Sequence, residues 1–425
     1  MHRSWHVIAV LCLVTSVAYL ARTDIAVAQE RMAPALGLSM ADMGAITAWA
    51  FQLSYALLQL PCALAGERFG ARRTLALALA GTSLASIVTG LMPESIATGT
   101  LIATRILLGV SQAAIFPVVA LAVSQFVARE QRVGAMAMAI SAASLGAAIA
   151  PLLMAPVMES YGWRTVFVVS GVLGTAAAIA CAVLMPGART RNDTVPVQRL
   201  ADLLDGTRTL LRNASLRWLA LAYLLHSAVL FVFIFWFFRY LTEGRGFTVL
   251  ASGVWASLPN IAGVVCAPMI GAGADRLGRR IGSARARRRV AMACLVGVAV
   301  SALVGAIAPG AVLAILALSL SSGFVNGAES PFFTTATALG SANPGAAAGL
   351  LNLMGNLGGV LSIWLVPRMA DAWGWNATIG FWAAVAFTAA LLWLLVREPE
   401  PTPAGSVRSA GGEAAGAEAI SPSAA

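Results

Sequence analysis

Lysine is absent from this 425-residue chain, and all 28 basic residues are arginine. Charged residues of both signs make up 11%, against roughly 25% in a soluble domain, so an ordinary water-soluble globule is excluded. The five cysteines, Cys12, Cys62, Cys181, Cys266 and Cys294, all fall inside apolar runs and show no CxxC spacing. Neither a disulfide framework nor a metal site follows, and small packing residues are the expected role. No phosphate-cradling glycine loop and no catalytic cluster is present, so neither ATP hydrolysis nor an enzyme is expected, and no cofactor is called for.

What fills the chain instead is apolar: 59% of residues are hydrophobic. They come in runs of about 20 separated by short polar loops, the pattern bilayer-spanning helices require. Twelve spans are expected, at 5–29, 43–66, 74–92, 98–123, 134–158 and 163–185, then 216–240, 249–273, 290–308, 311–333, 345–369 and 377–396. Arg3 ahead of the first run resembles a secretory leader. The run outlasts the usual stretch of about 7–15 residues, however, and no small-residue cleavage site follows, so it reads as a retained first span.

An even number of spans puts both termini on one side, and most arginines lie in the loops of that side. The positive-inside rule makes it cytoplasmic, in the inner or plasma membrane. The formal charge of +10 is therefore a signature of topology, not of nucleic-acid binding.

The chain divides into a first bundle at 1–185, a linker at 186–215, a second bundle at 216–396 and a Pro, Gly, Ser and Ala-rich tail at 397–425 that reads as disordered. In the linker Val197, Leu200, Leu203, Leu204, Leu210 and Leu211 recur at helical spacing, which suits an amphipathic helix on the inner membrane surface about as well as a solvated linker. The halves echo each other. GERFGARR (66–73) follows the second span and GADRLGRR (273–280) the eighth; GVSQAAIFP (109–117) in the fourth matches GFVNGAESP (323–331) in the tenth. Duplicated six-span halves are the architecture of alternating-access transporters, with substrate bound between the halves near the midplane.

Ionisable groups within spans cost at least about 3 kcal/mol each and normally face a bundle interior or a watery cavity. Arg22 lies about 25 Å of helix rise beyond Trp5, and Arg105 about 10 Å beyond Thr98 on a span of opposite direction, so both fall at similar depth in the outer half. Two planar guanidinium forks suit a small organic acid, and the expectation is that they share one cavity and hold an anion. The plainer alternative has Arg22 paired with Asp24 and Arg105 tying helices together. Asp24, Glu329 and His226 are candidates for coupling to protons; each could equally be a packing or pairing residue. Tyr19, Tyr55, Gln59, Gln112, Trp236, Asn352 and Asn356 are further candidates to line the cavity, although a single amide often only joins helices. In the paired inner turns Glu67, Arg68, Gly70 and Arg72, with Asp275, Arg276, Gly278 and Arg279, are gating candidates. An acid at a helix end can engage a facing helix in one conformational state only.

Several stretches carry a family resemblance: AYLART (18–23), GAITAWAFQLSYALLQLP (44–61), RFGARR, RILLGVSQAAIFP (105–117), GWRTVF (162–167), FWFFRYLTEGRGFT and GLLNLMGNLGG. With them the chain resembles the major facilitator superfamily, and within it the anion:cation symporters, which include sugar-acid transporters, sialin and vesicular glutamate transporters. The resemblance implies an all-α membrane fold of two pseudo-symmetric six-helix bundles and secondary transport of an organic anion such as a sugar acid. It further implies a proton as coupling ion, a monomer, and a carboxylate-recognising role for Arg22. Ala21 stands where that family commonly has Asp, and Gln112 where it has Glu, so the acids it associates with proton coupling are missing. Ala63 and Glu67 replace a Gly and an Asp of its first inner turn. The competing expectation is a proton-antiport exporter of drugs or metabolites. The chain offers only SLGAAIAPLL (144–153) for the Gly-Pro run of such exporters, and two intramembrane arginines suit cationic drugs poorly.

Overall fold

The computed structural model describes residues 2–93, 96–128, 131–187, 212–340 and 344–398, nearly all of them helical. The expected linker helix and most of the tail lie outside these residues. The elements are α1 (His2–Ala35), α2 (Met40–Ala45), a π-helical stretch (Ile46–Gln52), α3 (Leu53–Phe69), α4 (Ala71–Leu91), α5 (Ala97–Ala113), α6 (Ile115–Phe126), α7 (Arg132–Tyr161) and α8 (Trp163–Leu184). There follow α9 (Ala214–Phe235), α10 (Phe237–Arg239), a second π-helical stretch (Tyr240–Gly244), α11 (Val249–Trp255), α12 (Leu258–Ile281), α13 (Ser283–Ile307), α14 (Ala311–Leu339) and α15 (Pro344–Leu392).

Among the described residues ten helices are long and apolar enough to cross a membrane, or up to eleven when a pair bent by 56° between Met40–Gln59 and Pro61–Phe69 is taken as one span. Pro61 accounts for that bend, since it lacks an N–H and its ring crowds the preceding turn. The longest candidate, Ala346–Leu395, has 50 residues, about 75 Å of helix against a hydrocarbon core of about 30 Å. It is broken at Gly374, where φ is 77°, a left-handed conformation that glycine adopts without a Cβ penalty. The expectation of twelve spans thus meets ten or eleven apolar helices, and reaches twelve only by dividing α15 at Gly374.

The two inner turns also differ from expectation. Gly70 does close the first, with φ 84° and its N–H on the Gly66 carbonyl. Gly278 does not close the second: it is helical, and the positive φ of 91° belongs to Gly282, whose N–H meets the Gly278 carbonyl. GADRLGRR is therefore the last part of α12. The sequence echo and the structural echo are out of step by one helical turn.

Packing sorts the helices into two sets. Helix α1 lies on α7 and α8, and α4 on α5 and α8; α9 lies on α15, α12 and α13 on α14, and α13 also on α15. The sets meet where α7 packs on α11 and α12, and where α15 packs on α2, the first π-helical stretch and α3. Buried apolar residues form three cores. One, from Val7 to Met185, belongs to the first set, and another, from Leu216 to Val396, to the second, both at the arginine-rich end. The third, which includes Met32, Met43, Phe51, Met154, Trp236, Leu241 and Ile363, is shared by both sets at the opposite end. The bundles are thus fused at the outer end, opposite the arginine-rich loops, and independently cored at the inner, arginine-rich end.

Polar groups reinforce the outer closure. Arg239, 7% exposed, pairs with Glu243 at 2.6 Å and Asp371 at 3.4 Å, and the carboxylate of Glu30 approaches it from α1. The Gln29 side chain donates to the Phe235 carbonyl at 3.2 Å.

Candidate functional site

Arg22 sits just below the shared outer core. Its Nε donates to the Gln112 side-chain oxygen at 2.9 Å, and the Gln112 amide in turn donates to the Ala18 carbonyl at 2.9 Å. Gln112 is wholly buried on α5, so the amide fixes the orientation of the arginine. The guanidinium carbon lies 4.6 Å from the Tyr19 ring centroid, 4.2 Å from that of Tyr55 and 5.4 Å from that of Phe51. The Tyr55 hydroxyl is also in hydrogen-bonding reach. Two aromatic faces and a neutral amide thus surround the cation, each contact worth on the order of 1 kcal/mol. Among the described residues no carboxylate pairs with it.

Arg105 is elsewhere, and the expectation of a shared cavity is not met. It is 1% exposed inside the first bundle, its guanidinium 5.1 Å from the Phe167 ring centroid and 3.4 Å from the Thr89 hydroxyl. Its charge partner is Asp24, fully buried beside Ser170 with neither carboxylate oxygen in a well-formed hydrogen bond. At about 100° per residue, Arg22 and Asp24 project from opposite faces of α1. One reaches the space between the bundles, while the other turns into the first bundle, where it pairs with Arg105 instead of serving a cavity.

The second bundle contributes an acidic counterpart. Glu329 on α14 accepts from the Tyr223 hydroxyl at 2.9 Å and lies 3.3 Å from His226 Nε2. The Glu329 side chain is 29% exposed, whereas His226 is fully buried, stacked against Tyr223 at 5.5 Å and Phe332 at 4.9 Å. Tyr19 of α1 stands near enough to Arg22, Glu329 and Tyr223 to interact electrostatically with each. It therefore marks the point where the two walls come together.

Gln59, Asn352 and Asn356 are joined to one another rather than left free. Asn352 donates to Gln59, Gln52 donates to Asn356 at 2.7 Å, and Asn356 donates to the Asn352 carbonyl at 2.7 Å. They strap α3 and the first π-helical stretch to α15. Trp236 is 1% exposed in the shared core, against Gly44, and does not stand beside Arg22. Glu67, Arg68, Asp275, Arg276 and Arg279 are exposed, and among the described residues neither Glu67 nor Asp275 forms an ion pair.

Sequence reasoning missed Tyr223, Phe51 and Gln52. Tyr223 carries the spacing that could have found it, one turn before His226 on the same helix face; Phe51 and Tyr55 share a face in the same way. Gln52 had no signal beyond being one amide in an apolar run.

A family model described as Major Facilitator Superfamily matches residues 11–362. Among curated proteins, a probable sulfoacetate transporter of Cupriavidus necator is 26% identical over 84% of this chain and 85% of its own length. A D-galactonate transporter of Escherichia coli is 27% identical over 93% and 95%, and a probable galactarate/D-glucarate transporter of Bacillus subtilis 27% identical over 93% and 92%. Among solved structures, a bacterial homologue of the lysosomal transporter Spinster, inward-facing and occupied, superposes with a TM-score of 0.79 at 15% identity, covering 95% of this chain and 100% of that one. A nucleoside transporter superposes at 0.74 with 12% identity, covering 92% and 100%. With its helices paired into two bundles and the family model spanning most of its length, the chain belongs to the Major Facilitator Superfamily.

Proposed function

We propose that the protein is a secondary transporter of a small organic anion, a carboxylate such as a sugar acid, which it takes up with protons by alternating access. One observation carries the reading: a buried guanidinium at the meeting of the two bundles is held by an amide and two tyrosine rings, with no carboxylate among the described residues to neutralise it. A cation at that depth is costly unless something anionic completes it. The Gln112 bond occupies Nε and leaves the terminal nitrogens for a bidentate oxyanion. The names of the sulfoacetate, galactonate and glucarate relatives support the same chemical class. The arginine-rich loops support an inner or plasma membrane location with both termini cytoplasmic. Residues 1–185 and 216–396 are proposed as the two rocking bundles, acting within a monomer.

The test is uptake of labelled D-galactonate, D-glucarate and sulfoacetate into proteoliposomes. Arg22→Gln is expected to lower apparent affinity at least about tenfold, since each charge-assisted hydrogen bond is worth about 1.5–3 kcal/mol. Arg22→Lys, which keeps the charge but loses the fork, should recover only part. Wild-type affinity in Arg22→Gln removes the reading.

A further inference from the structure

We infer that Glu329 is the group that carries the proton, loaded when an anion occupies Arg22. The inference rests on the anion reading of Arg22 and adds to it the coupling residue, in the bundle opposite the anion's arginine.

Glu329 on α14 is 29% exposed and within electrostatic reach of Tyr19, whose ring also flanks Arg22. Both of its oxygens face donors, the Tyr223 hydroxyl and the His226 ring. His226 Nδ1 has no partner in its apolar shell, which places a ring proton on Nε2, donated to Glu329. The space between the bundles then has a positive wall at Arg22 and, whenever Glu329 is ionised, a negative wall on the second bundle, with Tyr19 in electrostatic contact with both. An anion seated on Arg22 cancels the positive wall and brings a second negative charge toward Glu329. Like charges at close range in a poorly solvated site cannot both persist, so anion binding and protonation of Glu329 favour each other. By linkage the converse holds: a protonated Glu329 tightens the anion site. The proton comes from cavity water on one face and returns to water on the other, so one proton accompanies each anion.

The groups that face Glu329 are Tyr223 and His226 of α9 and, from α1, Tyr19, which in turn flanks Arg22. Of the helices packed against α14, α12 brings Cys266 against Gly323 and, toward the arginine-rich end, Asp275 and Arg279 into a pocket shared with Ser330 and Thr334, to which α13 adds Arg287; α13 also carries Cys294, and α15 the amides of Asn352 and Asn356. Asp275 is exposed and shares its pocket with Arg279 and Arg287, and Asp24 is committed to Arg105 inside the first bundle.

The experiment compares two modes of transport by the full-length protein in proteoliposomes, with the best carried of D-galactonate, D-glucarate and sulfoacetate. The modes are net accumulation driven by an acid-outside gradient and anion-for-anion counterflow without a gradient. Glu329→Gln is expected to lose gradient-driven accumulation at least tenfold while counterflow persists at a reduced rate. Accumulation that still follows the gradient overturns the inference and leaves the anion reading standing. If Arg22→Gln keeps both modes, or the wild type carries none of the three acids, the anion reading fails and takes the inference with it. Should Glu329→Gln fail to insert, Tyr223→Phe serves. Removing one donor to the carboxylate shifts the half-maximal pH of coupled uptake upward, and an unmoved profile overturns the inference.

Discussion

Replacing Gly44 by alanine should push the transporter toward its outward-facing state. Gly44 lies in α2, where the outer ends of the bundles meet. A Cβ added there would stand 2.8 Å from the Ile363 carbonyl oxygen, 2.8 Å from Pro367 Cγ and 3.2 Å from a ring carbon of Trp236. The first is backbone and the other two are rigid rings, so none of the three yields by a change of rotamer. Overpacking of this kind costs about 1–3 kcal/mol. The cost applies only while the outer ends are closed, because Ile363, Pro367 and Trp236 belong to the other bundle. The gain in helix propensity from Gly to Ala applies equally in both states and cancels. The outward population should therefore rise about 5–150-fold. A cysteine at Gln29, in a background without the native cysteines, reports it. Gln29 is 3% exposed against the Phe235 carbonyl, so an impermeant maleimide reaches it only when the outer face opens. Gly99→Ala, where an added Cβ meets nothing within 4 Å, is the control. Equal labelling rates in Gly44→Ala and its parent would refute the reasoning.

Two further outcomes follow from the first bundle. Asp24→Asn and Arg105→Gln each leave a buried charge without its partner, at a cost of about 3–5 kcal/mol, so each single variant should lower the melting temperature in detergent and the double variant should recover most of the loss; additive losses in the double variant would show that the two do not pair. Gln112→Glu places a carboxylate on Arg22 Nε in place of an amide now at 2.9 Å. It should compete with the anion, weakening apparent affinity at least about tenfold at alkaline pH, with recovery on acidification as the new carboxyl is neutralised; a pH-independent affinity speaks against Arg22 as the anion's seat.

The fold class was legible because hydropathy works on a scale of whole spans, and the loop arginines mark which ends of those spans lie together. The site was legible only in part, and the reason is geometric. Depth along the membrane can be read from residue number, so Arg22 and Arg105 came out level. The direction of a side chain about the helix axis is legible as well, and it separates Arg22 from Asp24 on α1 by about 200°. What no single helix encodes is which neighbour fills each face. Here α8 brings Phe167 and Ser170 to the face that carries Asp24, while α9 and α14 bring Tyr223, His226 and Glu329 to the wall facing Arg22 and Tyr19. The inner turns fail for a related reason. GERFGARR and GADRLGRR share an acid, an arginine, a glycine and an arginine pair in the same order, yet a helix ends where its C-terminal carbonyl finds a left-handed glycine, and Gly282 was available one turn beyond Gly278. The amides of Gln59, Asn352 and Asn356 point the same way. Each alone reads as a ligand for a sugar hydroxyl, but set opposite one another across α3 and α15 they bond one another, and Arg22 is left between the bundles as a buried cation with no carboxylate partner among the described residues.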